Sequence, residues 1–418
     1  MNLCKSVIVS FTLSLALGVF GSGMALYEPS AVSQALGGAL VGRGVDASAN
    51  VNNPATLIDL ARPELSLGFV TEHPRARARV NGDVSHGMDP GAFILPNMSF
   101  ATPLPWGFAF GFGVGEEYGL GSKYRENWEM NWSSVETTIK GVVFNPNLAY
   151  AITDRWSVGA GVRLIYFDFE QESHPLAASD GHVLGTFNNR LKGDNNMLDW
   201  GWQVGTRYRV TDFFSVGAVY KSKIDVKVKG HAMTGVGSVA NEYLLDAVGR
   251  AARANNGPAV CEMELPQSVA FGFNWDIVDT FRIGAAASWT DWSSLGTLKF
   301  ELPSGDRDVH LGWNDTWRFS IAPAWDFAED WTLMGSYVYD MDCSGKQDST
   351  MLPPADRHIL SAGLSWRCLD NLEVSFCYGI VLMDGKSMST TDAAGNRYHM
   401  SVHRGVSHAV GLSLTYRF

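Results

Sequence analysis

A chain of 418 residues with 44 glycines, 12% aromatic residues and a mean hydropathy near zero has, beyond residue 25, no run approaching the roughly 20 apolar residues of a spanning helix. Its formal charge of −11 argues against nucleic acid, which demands a basic face. The length would suggest two or three soluble domains, but chains built of many short strands and turns run this long as one large β-barrel.

The first 25 residues read as a removable export signal. Lys5 supplies the positive region, Val7 to Phe20 the apolar region, and Gly23 with Ala25 the small residues before a cut that leaves Leu26 first. Cys4 lies too early to be the acylated cysteine of a lipoprotein and departs with the leader. Cys261, Cys343, Cys368 and Cys377 are widely spaced with no CxxC pair, which supports neither a zinc ribbon nor a redox motif and leaves any disulfide pairing unassigned.

From Leu36 to Ala55 the chain reads LGGALVGRGVDASANVNNPA. Gly37, Gly38, Gly42 and Gly44 permit tight turns, Ala47, Ser48 and Ala49 permit close approach, and Asn53 before Pro54 adds a rigid turn. Such a segment suits confinement. Residues 26–60 are read as a hatch, or plug, inside a barrel formed by residues 61–418; an exposed N-terminal loop is the other reading of the same residues.

The strand signal begins cleanly at Trp106, Phe108, Phe110, Phe112 and Val114, which share one parity, against Gly107, Ala109, Gly111, Gly113 and Gly115 on the other. Successive strand side chains point to opposite faces, so one face is bulky and apolar and the other leaves room. Trp156 to Tyr166 repeats the pattern, and in Val216 to Val228 the apolar set opposes Lys221, Lys223, Asp225 and Lys227. Segments around Val269, Phe281, Trp317 and Leu372 agree.

Six short turns, at Pro103–Pro105, Thr153–Arg155, Thr211–Phe213, Ile277–Thr280, Ala328–Asp330 and Leu369–Asn371, alternate with seven long polar connections. That alternation is the mark of an outer-membrane barrel with short periplasmic turns and long outer loops, and it predicts an all-β fold of fourteen antiparallel transmembrane strands. Trp106, Trp156, Phe213, Phe214 and Trp331 beside the short turns form an interfacial aromatic girdle. The last strand alternates Val410, Leu412, Leu414 and Tyr416 and ends on Phe418, the form of the signal read by the barrel-assembly machinery. A barrel this wide is not filled by its own wall side chains, so something must stopper it.

Chemistry of other kinds lacks its residues. An outer-membrane lipase or protease needs a nucleophile, base and orienting group, and there is no GxSxG elbow; Ser407 beside His408 is more simply a strand start. His399 and His403 stand four apart in an outer connection with no third ligand, so neither a metal nor a cofactor is expected. A general porin or adhesin shares the barrel, but the hatch sequence argues against an open bore. Arg163, Arg207, Arg209, Lys221, Lys223, Asp225 and Lys227 on the inward parity are expected to form a charge lattice with Asp46 or other hatch carboxylates.

Several motifs, in order, carry a family likeness: Asn53, Pro54 and Ala55 after the glycine-rich run; PNLAYAITDRWSVGAGV from Pro146; WGWQVGTRYRV followed by AVYKSKIDVKVKG; LPQSVAFGF from Leu265; WNDTWRFS from Trp313; and PADRHILSAGLSW from Pro354. Together they span almost the whole mature chain, which resembles FadL-type outer-membrane transporters of long-chain fatty acids and, in relatives, aromatic hydrocarbons. The resemblance implies a monomeric barrel in the outer membrane of a Gram-negative bacterium, among lipid and lipopolysaccharide. It implies passive uptake of a hydrophobic small molecule, which is caught at an outer groove, passes to an inner pocket beside the hatch and leaves sideways past a kinked third strand.

The resemblance carries a hatch role to Asn53, Pro54 and Ala55 and a pocket-facing place to Leu26; Gly42 and Gly44 of the glycine-rich run join the hatch and gating candidates, and Phe167, Phe169 and Asn314, near the matched carboxylate-binding positions, join the pocket candidates. Gly107, Gly111, Gly113 and Gly115 are candidates for the lateral opening, or else only make space beside the plug. Where fatty-acid-binding relatives hold the carboxylate with basic residues, the matched positions here read Phe167, Asp168, Phe169, Glu170 and Asp308, Val309, His310. No basic pair stands there, so uncharged hydrocarbons and fatty acids are both open as cargo.

Overall fold

A computed structural model describes residues 23–27, 29–82, 84–88, 91–179, 182–194, 197–344, 355–392 and 394–418. Most of the segment read as an export signal, including Cys4, lies outside the described residues.

Fourteen strands make the wall: β1 (Glu64–Val80), β2 (Phe93–Pro103), β3 (Phe108–Lys123), β4 (Glu136–Ala151), β5 (Trp156–Ser173), β6 (Asp199–Thr211), β7 (Phe214–Lys221), β8 (Ser268–Val278), β9 (Phe281–Thr290), β10 (Thr316–Ala328), β11 (Trp331–Asp340), β12 (Arg357–Leu369), β13 (Leu372–Met383) and β14 (Arg397–Arg417). Each pairs antiparallel with its sequence neighbour, and β1 pairs with β14 from Glu64 opposite Arg417 to Val80 opposite Met400. The sheet therefore closes, as it must in lipid, where an open edge would leave backbone groups without partners.

Parity decides which way each side chain looks. On β6, Trp200 and Trp202 are 67% and 45% exposed and face lipid, while Gln203 and Arg207 between the outward residues are buried in the bore. The six short turns fall where the sequence places them, with Trp106, Phe213 and Trp156 exposed beside them as the aromatic girdle.

The long connections are more ordered than a loop reading implies. Strand segments at Val84–Met88, Leu176–Ser179, His182–Gly193, Ile224–Val239, Gly257–Leu265, Thr297–Glu301, Arg307–His310 and Lys386–Thr391 continue the sheet beyond the wall, and a ten-residue helix, Leu245–Ala254, packs on one of them. The stretch Val216–Val228, read as one strand, is two: β7 ends at Lys221, and Ile224–Val239 leaves the wall to pair with Gly257–Leu265 and His182–Gly193. Alternating charges at Lys223, Asp225 and Lys227 need water, and the outer extension supplies it.

All four described cysteines are free thiols. Cys261 and Cys343 are buried in an apolar cluster with Tyr118, Phe167 and Trp292, and burial pushes both thiols well above their ordinary range, which makes them inert.

The segment before β1 lies in the bore. A short helix, α1 (Ala31–Ala35), is capped by Ser30 and packs against β12, β13 and β14; the amide of Ala31 donates to Ser413 Oγ at 3.1 Å. A second turn of helix, α2 (Ala49–Asn52), and a 3-10 turn, Pro54–Asp59, pack against β3, β4, β5 and β6 on the other side. Ala47, Asn50, Asn53, Ala55 and Leu57 are fully buried there, so the segment bridges the bore from wall to wall.

Candidate functional site

Asn53 organises the seat of this segment in the bore. Its Oδ1 accepts from the amide of Ala55 at 3.0 Å, and its Nδ2 donates to the carbonyls of Val41 and Thr206 at 2.7 and 3.1 Å. Ser157 Oγ donates to the Ala55 carbonyl at 2.8 Å. The wall is glycine opposite this turn: a methyl on Gly159 would stand 2.6 Å from the Pro54 carbonyl carbon, and one on Gly205 would collide with Asn53 Oδ1. Gln203, Asn145 and Asn147 continue the polar seat under Asn50, with Asn147 Nδ2 donating to Asn50 Oδ1 at 2.8 Å.

Ion pairs tie the segment down. Asp59 accepts from Arg207 at 2.7 Å and lies 3.6 Å from Arg209, and Arg43 reaches Asp276 at 2.6 Å. Part of the expected charge lattice therefore forms, but on Asp59. Asp46 instead accepts from the amide and hydroxyl of Ser48 at 2.8 and 2.5 Å. Arg163 and Lys221 pair with Glu117 of the wall at 2.5 and 3.4 Å, and Lys223 and Lys227 pair with Glu264 and Glu262 outside it. The last two belong to the outer extension, out of reach of the bore.

Among the described residues the wall parts between β2 and β3. The β2–β3 ladder runs from Pro103 opposite Ala109 to Met98 opposite Val114 and stops. Beyond it, among the described residues, Phe93–Asn97 pair with β1 and no second strand, and Gly115–Lys123, apart from Glu117, pair with β4 and no second wall strand. A bulge leaves Glu117 as the extra residue of β3, turned inward to Arg163. The freed edge of β3 is taken by the start of the described chain: Leu26 N donates to the Glu117 carbonyl at 2.8 Å and Gly119 N to the Met24 carbonyl at 2.9 Å.

A cavity of about 290 Å³ opens beside this junction. Leu26, Phe93, Ile139, Ile359 and Val381 give it apolar walls, while Lys140, Arg318 and Arg357 face Glu72, Glu116 and Asp340 within it. Arg357 Nη2 donates to Asp340 at 2.8 Å in a buried pair, and the Arg318 guanidinium lies 4.5 Å from the Tyr27 ring centroid. Three bases against three acids leave the cavity with no formal excess charge, a setting that receives an uncharged apolar molecule without stranding an ion.

A family model described as outer membrane protein transport protein (OMPP1/FadL/TodX) matches residues 12–418. The chain belongs to the OMPP1/FadL/TodX family. A long-chain fatty acid transport protein of Salmonella typhi is 24% identical over 418 residues, covering 93% of each chain. A crystal structure of a Pseudomonas aeruginosa FadL homologue superposes with a TM-score of 0.84 at 20% identity, covering 95% of this chain and 100% of that one. The P. putida toluene transporter TodX superposes at 0.71 with 16% identity, covering 93% and 98%. These likenesses agree with the closed fourteen-stranded barrel.

Within this OMPP1/FadL/TodX barrel the residues singled out from sequence fall in three places. Asn53, Pro54 and Ala55 form the seat, Gly42 backs onto Phe273 and Asn274 of β8, and Gly44 packs against Thr56 of its own segment. Leu26 lines the cavity. Phe167 and Phe169 are buried in the outer apolar cluster, and Asn314 is exposed, its amide donating to the Cys343 carbonyl; none of the three lines the cavity.

The glycines of β3 divide. Gly111 and Gly113 back onto Asn50, Leu57 and Val51 and so make space beside the stopper, Gly107 sits in the short turn at φ +79°, and Gly115 is the first residue past the last β2–β3 pair. Gly119 and Gly121, absent from the sequence reading, border the gap: a methyl on Gly119 would stand 2.9 Å from Leu26, and one on Gly121 would strike the Phe93 ring. The matched positions at 167–170 and 308–310 hold no lysine or arginine, and the basic residues of the cavity come from elsewhere. Arg318, in the WNDTWRFS motif, and Arg357, in PADRHILSAGLSW, meet in the cavity from strands that motif matching treats separately.

Proposed function

We propose that this protein is a passive outer-membrane transporter of lipophilic small molecules, which enter the cavity beside Leu26 and leave through the gap between β2 and β3. Residues 1–25 act as the export signal, 26–60 as the hatch and 61–418 as the barrel, with Phe418 presented to the assembly machinery and the barrel working as a monomer. The observation that carries this reading is the ladder that stops at Met98 and Val114 beside a charge-balanced cavity with apolar walls. A strand edge in lipid leaves backbone groups unpaired, so a wall that omits half a ladder and covers it with a separate segment is built to open there.

Cleavage after Ala25 would contribute to the path. Ala25 lines the cavity and Met24 is buried in the adjoining apolar cluster, so their departure vacates apolar space next to Leu26. Water fills such a space poorly and hydrocarbon fills it well, at roughly 25 cal/mol per Å² of apolar area. Cargo then moves down its own gradient through successive apolar sites, with no cofactor and no energy source.

Relatives are named for long-chain fatty acid transport and, among solved structures, for toluene transport. The balanced charge of the cavity favours the uncharged end of that range here. The test is uptake by cells lacking their own transporter, with radiolabelled hexadecane and radiolabelled oleate supplied separately. Expression of the protein is expected to raise hexadecane uptake more than oleate uptake. No increase for either overturns the transport reading, and full restoration of oleate uptake with none for hexadecane overturns the cargo assignment.

A further inference from the structure

The seam where β1 meets β14 changes character sharply with height. In its lower part the outward faces carry Leu65, Leu67 and Phe69 on β1 and Val410, Leu412, Leu414 and Tyr416 on β14. Just above, the outward face carries Arg75, Arg77 and Arg79 on β1 and, on β14, His408 before a register shift and His403, His399 and Arg397 after it, all exposed. Their neighbours Ala76, Ala78 and Val80 point the opposite way, into an apolar cluster with Trp128 and Trp132, which fixes the orientation of the arginines. Register sets Arg77 opposite His403 and Arg79 opposite Ser401, and residues on one strand face repeat about every 7 Å.

Several other cations of the outer rim are paired. Lys123 is matched by Glu136, Arg190 by Glu170, Lys223 by Glu264 and Lys227 by Glu262. Arg77 and Arg79 have no acidic partner among the described residues. In a chain with a net charge of −11, adjacent arginines left without counter-ions point to an anion supplied from outside.

We propose that this face binds the phosphate groups of lipopolysaccharide in the outer leaflet. The chemistry fits at both levels: guanidinium forks match phosphate oxygens two at a time, and the apolar residues directly below receive the acyl chains of the same molecule. The height fits as well, because phosphorylated sugars stand immediately above the hydrocarbon that Phe69 and Val410 meet. The inference rests on the outer-membrane placement and is independent of which cargo crosses the barrel.

The test uses the full-length protein in detergent, with lipopolysaccharide retained after washing measured by native mass spectrometry. Phosphorylated lipopolysaccharide, the same material chemically dephosphorylated, and phosphatidylglycerol are offered in separate arms. Removing the phosphates is expected to weaken retention about tenfold or more, the size of losing one charge-assisted contact. R77E/R79E is expected to lose retention to the same degree, R77K/R79K to lose less, and R250E, on the distant outer helix, to behave as wild type. If R77E/R79E gives no heat-modifiable folded band, R77Q/R79Q is read in its place. Equal retention of dephosphorylated material, equal retention by the charge-reversed variant, or phosphatidylglycerol held as tightly would each overturn the proposal, and hydrocarbon uptake in the same variants separates this failure from failure of the transport reading.

Discussion

Leu26 and Glu117 are joined backbone to backbone, the Leu26 nitrogen donating to the Glu117 carbonyl at 2.8 Å on the stretch of β3 that β2 does not pair. The side chain of the same Glu117 is held by Arg163 at 2.5 Å and Lys221 at 3.4 Å. One bulged residue thus fixes the wall to its own interior and offers the backbone of Leu26 a partner beside the cavity. Whatever moves Leu26 also exposes the edge of the gap.

Bridging that gap should stop transport. In a background free of the native cysteines, Phe93→Cys with Gly121→Cys places two thiols across the opening, since the Phe93 ring lies against Gly121. A short thiol-reactive crosslinker is expected to reduce uptake of a hydrocarbon probe at least about tenfold, the equivalent of roughly 1.4 kcal/mol on the barrier, without unfolding the barrel. Each single-cysteine variant treated alike is expected to keep its uptake. Undiminished uptake after verified crosslinking would place the exit elsewhere.

Asp340→Asn should shift cargo preference towards carboxylates. The substitution leaves Arg357 in its buried site without a counter-ion, at a cost of about 3–5 kcal/mol that a bound carboxylate can offset. Oleate uptake relative to hexadecane uptake is expected to rise, and fluorescence titration with a fatty-acid probe should show tighter binding. An unchanged ratio would mean that cargo does not meet this pair.

Gly205→Ala should unseat the hatch. The added methyl collides with Asn53 Oδ1, and overpacking of that kind costs about 1–3 kcal/mol. Planar bilayers are expected to show more frequent and larger conductance events than wild type, and cells to become more sensitive to large antibiotics. Gly235→Ala, whose methyl would meet nothing nearer than 4.0 Å, is the matched control.

Hatch seating should weaken as pH rises. Asp46 Oδ2 is buried with no hydrogen-bond partner among the described residues, and burial pushes this carboxyl up from its ordinary range. A carboxyl raised in the folded state is most favourable when protonated, so its contribution is full below the unfolded pKa and is lost as pH climbs from there through the raised folded value. Limited proteolysis of the hatch across about pH 4 to pH 8 should show growing susceptibility. Asp46→Asn, which keeps the acceptor for Ser48 and cannot ionise, is expected to flatten that dependence.

Some of this was legible from residues alone. Two-residue alternation in stretches such as Trp106–Gly115 and Val410–Phe418 reports a wall with lipid on one side and a bore on the other, because adjacent strand side chains must face opposite solvents. Turn and loop lengths then counted the strands, and Asn53 before Pro54 marked the stopper's turn. The boundary at Lys221 was not legible, since alternation continues unbroken into Ile224–Val239 while the pairing partners change.

Nor could local pattern locate the pocket contacts. Phe167 and Phe169 have the apolar character expected of cargo contacts, yet they pack into the outer cluster. Gly119 and Gly121 border the opening, whereas Gly111 and Gly113, with the same parity and spacing, only clear space for Asn50 and Leu57. Sequence determined the strands, their facing and their number, because those depend on what each residue prefers next to lipid or water. Tertiary structure decided where β2 and β3 part, that Glu117 turns inward, and that Arg318 and Arg357 share one cavity, because closing the barrel fixes which distant edges and side chains meet, and no periodicity along one strand encodes that.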